Sequence, residues 1–131
     1  MVKALRIITV IESPFAGAVE RNVGYARRAM RDSIDRAEVP WASHLLYTQP
    51  GVLDDSDPEQ RRHGIDLNLQ VIEFCARNVA VYADHGISPG MREAIKLATK
   101  LYIPVDIRYL GEGPVKAISW RVQDLLDVGA A

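Results

Sequence analysis

Polar residues that can bind or act on a small molecule follow directly after an apolar segment in the second half of the chain. Residues 79–83 (Val-Ala-Val-Tyr-Ala) run into Asp84 and His85, and a glycine-containing loop then leads to a helical pattern that opens near Ser88. A carboxylate and an imidazole exchange protons with ligands, and a helix start binds anionic groups. We therefore expect a ligand pocket at the carboxyl end of this strand, where open α/β sheets bind their ligands.

The start of the following helix is suited to an anion. Ser88 is placed to cap the first turn, Pro89 fits the first helical position, and Gly90 would let a ligand approach the backbone closely. The free amide groups of that turn point toward the same edge of the predicted sheet. A phosphate or a carboxylate group is the kind of ligand that this turn would bind.

The elements that must position these residues alternate between strand and helix patterns. Apolar, β-branched runs predict buried strands, and apolar stripes opposite charged faces predict amphipathic helices. A loop at residues 49–58 precedes the second helix, with Ser56 or Asp57 as its cap and Pro58 in its first turn. The strands are predicted at residues 4–11, 39–47, 79–83 and 104–110, and the helices at residues 19–37, 59–77, 88–101 and 120–128.

This order predicts a single domain over residues 1–131: an α/β, three-layer flavodoxin-like or Rossmann-like fold. Helices would cover both faces of a central parallel sheet of about four to five strands. In such a sheet the carboxyl ends of the strands share one edge. That edge gathers Glu12, Ser13, Pro14 and Phe15 after the first strand, His44 and Tyr47 near the end of the second, and Asp84 and His85 after the third.

Each of these residues also has a structural interpretation. Asp84 could hydrogen-bond its own backbone in a turn, and His44 could be a satisfied core residue. Glu93 lies near a helix start, where the helix dipole stabilises a carboxylate. The acidic cluster at residues 54–57 lacks the glycine and glutamate of a calcium loop, which indicates a solvated loop. Cys75, the single cysteine, lies in an apolar helical stretch and is predicted to be a buried structural thiol.

Charge and motif content exclude several classes of function. Sixteen basic and seventeen acidic residues leave a net charge of −1 with no long run of one sign, so no nucleic-acid partner is expected. The fingerprints of dinucleotide, nucleoside-triphosphate, zinc and serine-hydrolase sites are missing, so we expect no cofactor and no metal. The apolar start of the chain is too short for a membrane span and lacks a signal-peptide cleavage site, which favours a cytoplasmic protein without a membrane partner.

Several short motifs are spread over about residues 5 to 112. They are Ser13-Pro14-Phe15, Glu20-Arg21-Asn22, Pro40 with His44 to Tyr47, Leu53-Asp54-Asp55 with Arg61, Arg62, Gly64 and Ile65, and Ile87 to Met91. In combination they resemble the nucleoside 2-deoxyribosyltransferase-like family, and more narrowly a small branch met in bacteria and their phages. The resemblance implies a flavodoxin-like fold, a nucleoside or nucleotide bound at the strand ends, and a homo-oligomer whose neighbouring subunits help to close the site.

The resemblance also implies roles for individual residues. In catalytic members a glutamate on the helix after the third strand attacks the sugar, and an aspartate, matched here by Asp84, assists the leaving base. The glutamate position falls at Ala94, and the nearest carboxylate is Glu93, which lies about 100° away around the helix. The ligand-binding candidates are Ser13, Pro14, Phe15, His44, Tyr47, His85, Ser88, Gly90 and Met91.

Three functions are consistent with these residues. The first is an enzyme that cleaves or exchanges an N-glycosidic bond, with Glu93 as nucleophile and Asp84 as acid or hydrogen-bond partner; it requires the Glu93 carboxylate close to the pocket at Ser13. The second is a sensor or sequestering module that captures a nucleotide-derived ligand, which Ala94 favours. The third is a structural or interaction protein. Candidate residues for a subunit interface are Trp41, Tyr47 and Trp120, of which Trp120 is expected to pack on its own sheet instead.

Overall fold

Within residues 5–113, four parallel strands form the centre of the fold. They lie side by side in the order β2-β1-β3-β4, and each neighbouring pair is parallel. The predicted α/β fold with a central parallel sheet is therefore confirmed. The computed structural model describes residues 5–113. Its elements are β1 (Ile8–Glu12), α1 (Val19–Asp35), β2 (Val39–Trp41), α2 (Ser43–Leu46), α3 (Pro58–Cys75), β3 (Asn78–Tyr82), α4 (Pro89–Lys100) and β4 (Val105–Arg108).

Alternate side chains of each strand build a separate apolar core on each face of the sheet. On one face, Val79 and Val81 of β3 pack against α3 and α4. Ala80 and Tyr82 point to the opposite face, where they pack against Tyr25 of α1. Because successive residues of a strand point in opposite directions, the sheet is covered on both sides. The result is the three-layer arrangement that the sequence predicts.

The chain changes direction at the middle of the sheet. It leaves β1 for β2 on one side, and it later returns to β3 on the other side of β1. The loops after β1 and β3 therefore diverge at the carboxyl ends of two neighbouring strands, which creates the crevice where α/β proteins bind ligands.

The predicted second strand, residues 39–47, is wrong in its second half. Only Val39–Trp41 pairs with β1, and Ser43–Leu46 forms the short helix α2. Within residues 5–113, β2 lies at the edge of the sheet and pairs with β1 alone, a position that tolerates Pro40. His44 consequently belongs to a helix rather than to a strand.

Helix α3 buries fewer side chains than its sequence suggests. Leu69 and Ile72, three residues apart, contact the core, as one face of a helix requires. Phe74 is about 200° around the helix from Ile72 and is 78% exposed. Cys75 lies beside the buried face and is exposed, so the prediction of a buried thiol is wrong.

The other elements agree with the predictions to within a few residues. The Asp57 side chain caps α3, with Pro58 in its first turn, and the Ser88 side chain caps α4 in the same way. The predicted helix at residues 120–128, with Trp120, lies outside the described residues. No helix within residues 5–113 is both long enough and apolar enough to span a membrane.

Candidate ligand-binding site

A cleft opens at the carboxyl ends of the strands, bordered by the loop after β1, by α2, and by parts of α3 and α4. It holds about 700 Å³ of space between the atoms, which includes open solvent at its mouth. Its apolar walls come from Phe15, Tyr47, Leu53, Ile65 and Met91. Its main polar side chains are those of Glu12, Ser13, Ser43, His44, Arg61 and Asn68.

Most of the predicted ligand-binding residues meet in this cleft. Pro14 is buried but does not line it. His85 also lies outside it, packed edge-on against the Tyr25 ring with centroids 4.7 Å apart. The predicted residues that do line the cleft are Ser13, Phe15, His44, Tyr47, Ser88, Gly90 and Met91.

Asp84 joins distant segments of the fold and does not line the cleft. Its side chain is 1% exposed and accepts hydrogen bonds from the Tyr25 hydroxyl at 2.6 Å and from the Leu110 and Glu112 amides at 2.7 and 2.8 Å. Burial alone would raise the pKa of Asp84, but these hydrogen bonds outweigh burial and lower it. The carboxylate thus links the end of β3 to α1 and to the segment after β4.

Glu93 lies outside the cleft as well. Its carboxylate accepts two hydrogen bonds from Arg62, each 3.0 Å long, and its side chain is 43% exposed. Arg62 also pairs with Asp66, so the three side chains form an ion-pair cluster between α3 and α4. Ala94, at the position expected for a glutamate, is fully buried in the core. The structure therefore does not bring the predicted nucleophile to the cleft.

Glu12 supplies a buried carboxyl group to the cleft. It ends β1, is 6% exposed, and lines the cleft. Burial raises the pKa of Glu12 to about 8, and a hydrogen bond from Asn68 opposes this rise only in part. Because such a carboxyl group is largely protonated at neutral pH, it can donate a hydrogen bond or a proton to a bound molecule.

Three consecutive hydrogen bonds hold Glu12 in place. The Trp41 indole N–H donates to Ser43 Oγ at 2.8 Å, the Ser43 hydroxyl donates to Asn68 Oδ1 at 2.6 Å, and the Asn68 amide donates to Glu12 Oε2 at 2.8 Å. An indole N–H can only donate, so Ser43 accepts from Trp41, and the Ser43 hydroxyl proton is directed to Asn68. This direction turns the NH₂ group of Asn68 toward Glu12.

Ser13 and His44 form a second polar pair in the cleft. Ser13 Oγ lies 2.7 Å from His44 Nε2. Burial lowers the pKa of His44 to about 4, so its imidazole is neutral at physiological pH. The pair therefore offers a ligand uncharged donors and acceptors, with the direction of its internal hydrogen bond set by the histidine tautomer.

The acidic residues before α3 make structural contacts. Asp54 accepts hydrogen bonds from the Ser56 amide and hydroxyl, and Asp57 accepts one from the first turn of α3. Asp55 pairs with Arg61 at 2.9 Å, and both residues line the cleft. Within the described part of the chain, no group of three or more His, Cys, Asp or Glu side chains is arranged to hold a metal ion.

The sequence predicts Glu12 at the sheet edge without singling it out, and it gives no role to Asn68 or Ser43. One signal was present for Asn68, which lies three residues after Ile65 and four before Ile72. That spacing puts a polar side chain on the helix face that carries apolar residues. Because burial without a hydrogen bond is costly, an amide on such a face indicates a buried polar partner.

The fold and the site together describe an α/β protein with a cleft at the strand ends. The chain belongs to the family described as Domain of unknown function (DUF7768), which matches residues 7–108. Among solved structures it is similar to a 2-deoxyribosyltransferase from the psychrotolerant bacterium Bacillus psychrosaccharolyticus, with a TM-score of 0.57 and 17% sequence identity. The similarity covers 92% of this chain and 90% of that one, and at this identity it concerns the fold. No curated protein matches the chain.

Proposed function

We propose that the protein binds a nucleoside or a nucleotide in the strand-end cleft. The observation that carries this proposal is the composition of the cleft, whose lining combines the rings of Phe15 and Tyr47 with the polar groups of Glu12 and Asn68. A nucleobase has flat apolar faces and a polar edge, so it complements walls of this kind. The similarity in fold to a 2-deoxyribosyltransferase supports the same class of ligand.

The sugar end of the ligand belongs, in this proposal, near the start of α4. Ser88 and Gly90 line the cleft there, and a helix start favours hydroxyl and phosphate oxygens. Arg61 adds a positive charge to the cleft, although it already pairs with Asp55. A 5′-phosphate would compete with Asp55 for that guanidinium group.

Capture without turnover, as in a sensor or a sequestering module, is the function that we favour. A carboxylate nucleophile on α4 would have to reach the sugar from the cleft wall. Ala94 provides no such group and lies in the core, and the Glu93 carboxylate is paired with Arg62 on the surface. Glycosyl transfer through Glu93 would require that side chain to leave Arg62 and to enter the cleft.

Calorimetric titration tests the binding proposal. The panel contains the ribonucleosides and 2′-deoxyribonucleosides of the common bases and their 5′-monophosphates, and mass spectrometry shows whether a bound ligand is recovered intact. We expect at least one to bind, and we expect Tyr47→Ala to weaken it at least tenfold, about 1.4 kcal/mol. The matched control is Tyr102→Ala, since Tyr102 is 94% exposed and does not line the cleft. Equal effects of the two variants, or no binding at all, would contradict the proposal.

Hydrolysis of the N-glycosidic bond is a second candidate, and Glu12 is the observation that favours it. The bond between C1′ and the base nitrogen would break with its electron pair leaving on the base, which takes the Glu12 proton. Water would then bond to C1′ and return a proton to the Glu12 carboxylate. Chromatography for free base separates the candidates: release that stops in Glu12→Gln supports hydrolysis, while no release, or release unchanged in that variant, rejects this mechanism.

Gly90→Ala should make the protein more stable and at the same time weaken ligand binding. A Cβ at Gly90 would meet Ile65 Cδ1 at 3.9 Å, an ordinary contact, so the helix can accept it. We expect about 0.4–1 kcal/mol of added stability because alanine restricts the unfolded chain. Ile65 also lines the cleft, so the methyl group should take ligand space and weaken binding by roughly fivefold, about 1 kcal/mol. A lower free energy of unfolding together with an unchanged ligand affinity would contradict this prediction.

The proposal includes self-association. Phe15 and Leu53 line both the cleft and a neighbouring shallow groove, which also contains the exposed side chains of Val19 and Val52. A second copy that covers this groove would help to close the cleft. Light scattering after size exclusion should then give a mass above that of one chain, and Val52→Asp should reduce it.

A further inference from the structure

The carboxyl group of Glu12 has one oxygen engaged and one available. Oε2 accepts the Asn68 N–H at 2.8 Å, whereas Oε1 has no hydrogen-bond partner among residues 5–113. The residue lines the cleft at the end of β1. Oε1 is therefore the oxygen that a molecule in the cleft can contact.

The direction of the hydrogen-bond chain decides what Oε1 offers to that molecule. The Trp41 N–H donates to Ser43, the Ser43 hydroxyl donates to Asn68 Oδ1, and Asn68 presents its NH₂ group to Glu12. The donation from Trp41 polarises the Ser43 hydroxyl and so favours this direction. Oε2 must then act as an acceptor. In the protonated carboxyl group the hydrogen consequently lies on Oε1.

We propose that Glu12 is a specificity-determining residue, which donates the Oε1 hydrogen to an uncharged acceptor of the nucleobase, and that Trp41 is the positioning residue that fixes this direction. The inference rests on the proposed binding of a nucleoside or nucleotide. The acceptor is a ring nitrogen or a carbonyl oxygen of the base. A ligand without an acceptor at that place leaves a buried polar group unpaired, so the cleft rejects it.

The protonation state of Glu12 can be changed by varying the pH of the solution. The titratable groups that line the cleft from other elements are His44 in α2, Tyr47 after α2, and the pair of Asp55 and Arg61. Burial lowers the pKa of His44 to about 4, while burial raises the pKa of Glu12 to about 8. In mildly alkaline solution Glu12 should lose its proton, and Oε1 then changes from a donor to a charged acceptor.

Glu12→Gln tests the role of this proton, because glutamine presents an N–H donor in the same shape but does not titrate. The probe is the tightest-binding member of the nucleoside and 5′-monophosphate panel, titrated calorimetrically into both proteins. We expect the wild-type affinity, divided by that of Glu12→Gln, to fall roughly 30-fold between about pH 6.5 and about pH 9.5. Ionisation of the ligand cancels in this ratio. The control is Glu73→Gln, an exposed site on α3, for which the ratio should not change.

These measurements distinguish a failure of the role of Glu12 from a failure of ligand binding. A ratio that stays constant with pH overturns the role of Glu12 even though a ligand binds. Absence of binding by every panel member at every pH overturns the proposed function itself.

Trp41→Phe tests the positioning role without altering Glu12. With the indole donor removed, Ser43 and Asn68 can reverse, and Asn68 Oδ1 can accept the Glu12 proton. We expect severalfold weaker binding and a higher pH midpoint, because a hydrogen bond to the protonated form favours that form. Lower stability with an unchanged affinity and midpoint would show that Trp41 only packs, and it would overturn this part of the proposal.

Discussion

Glu38→Ala is expected to lower the free energy of unfolding by about 3 kcal/mol, because it breaks a buried ion pair. Arg108 donates two hydrogen bonds to Glu38, at 2.7 and 2.6 Å, and the two side chains are 4% and 9% exposed. Without the carboxylate the guanidinium group stays buried and loses its closest counter-charge. Contacts of Arg108 with Tyr82 and Asp106 keep the expected loss near the lower end of the 3–5 kcal/mol typical of such sites.

Urea denaturation followed by circular dichroism measures this effect. The control is Asp35→Ala, which removes the exposed pair with Arg31 and should cost less than about 0.5 kcal/mol. A similar loss in both variants would show that burial adds nothing to the Glu38–Arg108 pair.

The same pair should contribute to unfolding in acid. Hydrogen bonds from Arg108, and a further one from Ser33, lower the pKa of Glu38 from its usual 4.5. The folded protein therefore binds fewer protons at Glu38 than the unfolded chain does, and this stabilisation is present above about pH 4.5 and is lost as the pH falls through the folded-state pKa. Glu38→Ala should accordingly show a weaker acid dependence than the wild-type protein does.

The fold was predictable because most elements carry a complete local signal. All five residues of β3 are buried, and its apolar run in the sequence is correspondingly continuous. Helices α3 and α4 begin at Asp57 and Ser88 caps followed by proline, as their sequences indicate. β2 is a three-residue edge strand, and such a strand buries too few side chains to leave a clear hydrophobic pattern in the sequence. The sequence after Trp41 therefore reads equally well as strand or helix.

The carboxyl group that reaches the cleft was not predictable from local sequence. Glu12 and Asp84 both lie at the end of an apolar strand, one at its last residue and one shortly after it. They differ because the Tyr25 hydroxyl binds Asp84, whereas the Asn68 amide binds Glu12. These partners are 59 and 56 residues away along the chain, on helices that cover opposite faces of the sheet. Only the packed fold decides which strand end each helix reaches.

Glu12→Gln is expected to stabilise the protein by an amount that grows with pH. Glu12 ionises near 4.5 in the unfolded chain, but burial raises its pKa to about 8 in the folded protein. Between these values the folded protein binds more protons, so the free energy of unfolding falls as the pH rises. Glutamine keeps the shape and can accept the Asn68 N–H, but it is not subject to this loss. Its advantage should grow by about 4 kcal/mol between about pH 5 and about pH 9.

Denaturant unfolding across this pH range, with Glu73→Gln as the exposed control, measures the effect. An advantage of Glu12→Gln that does not change with pH would mean that the Glu12 carboxylate is solvated in the folded state. If the advantage grows, the wild-type protein carries a destabilising acid where an amide of equal shape would be more stable. Such a sacrifice of stability is typical of functional sites. Glutamine can donate a hydrogen bond but cannot release a proton. Measuring both ligand affinity and the release of free base in Glu12→Gln would then show whether the cleft uses Glu12 as a hydrogen-bond donor or as a proton donor.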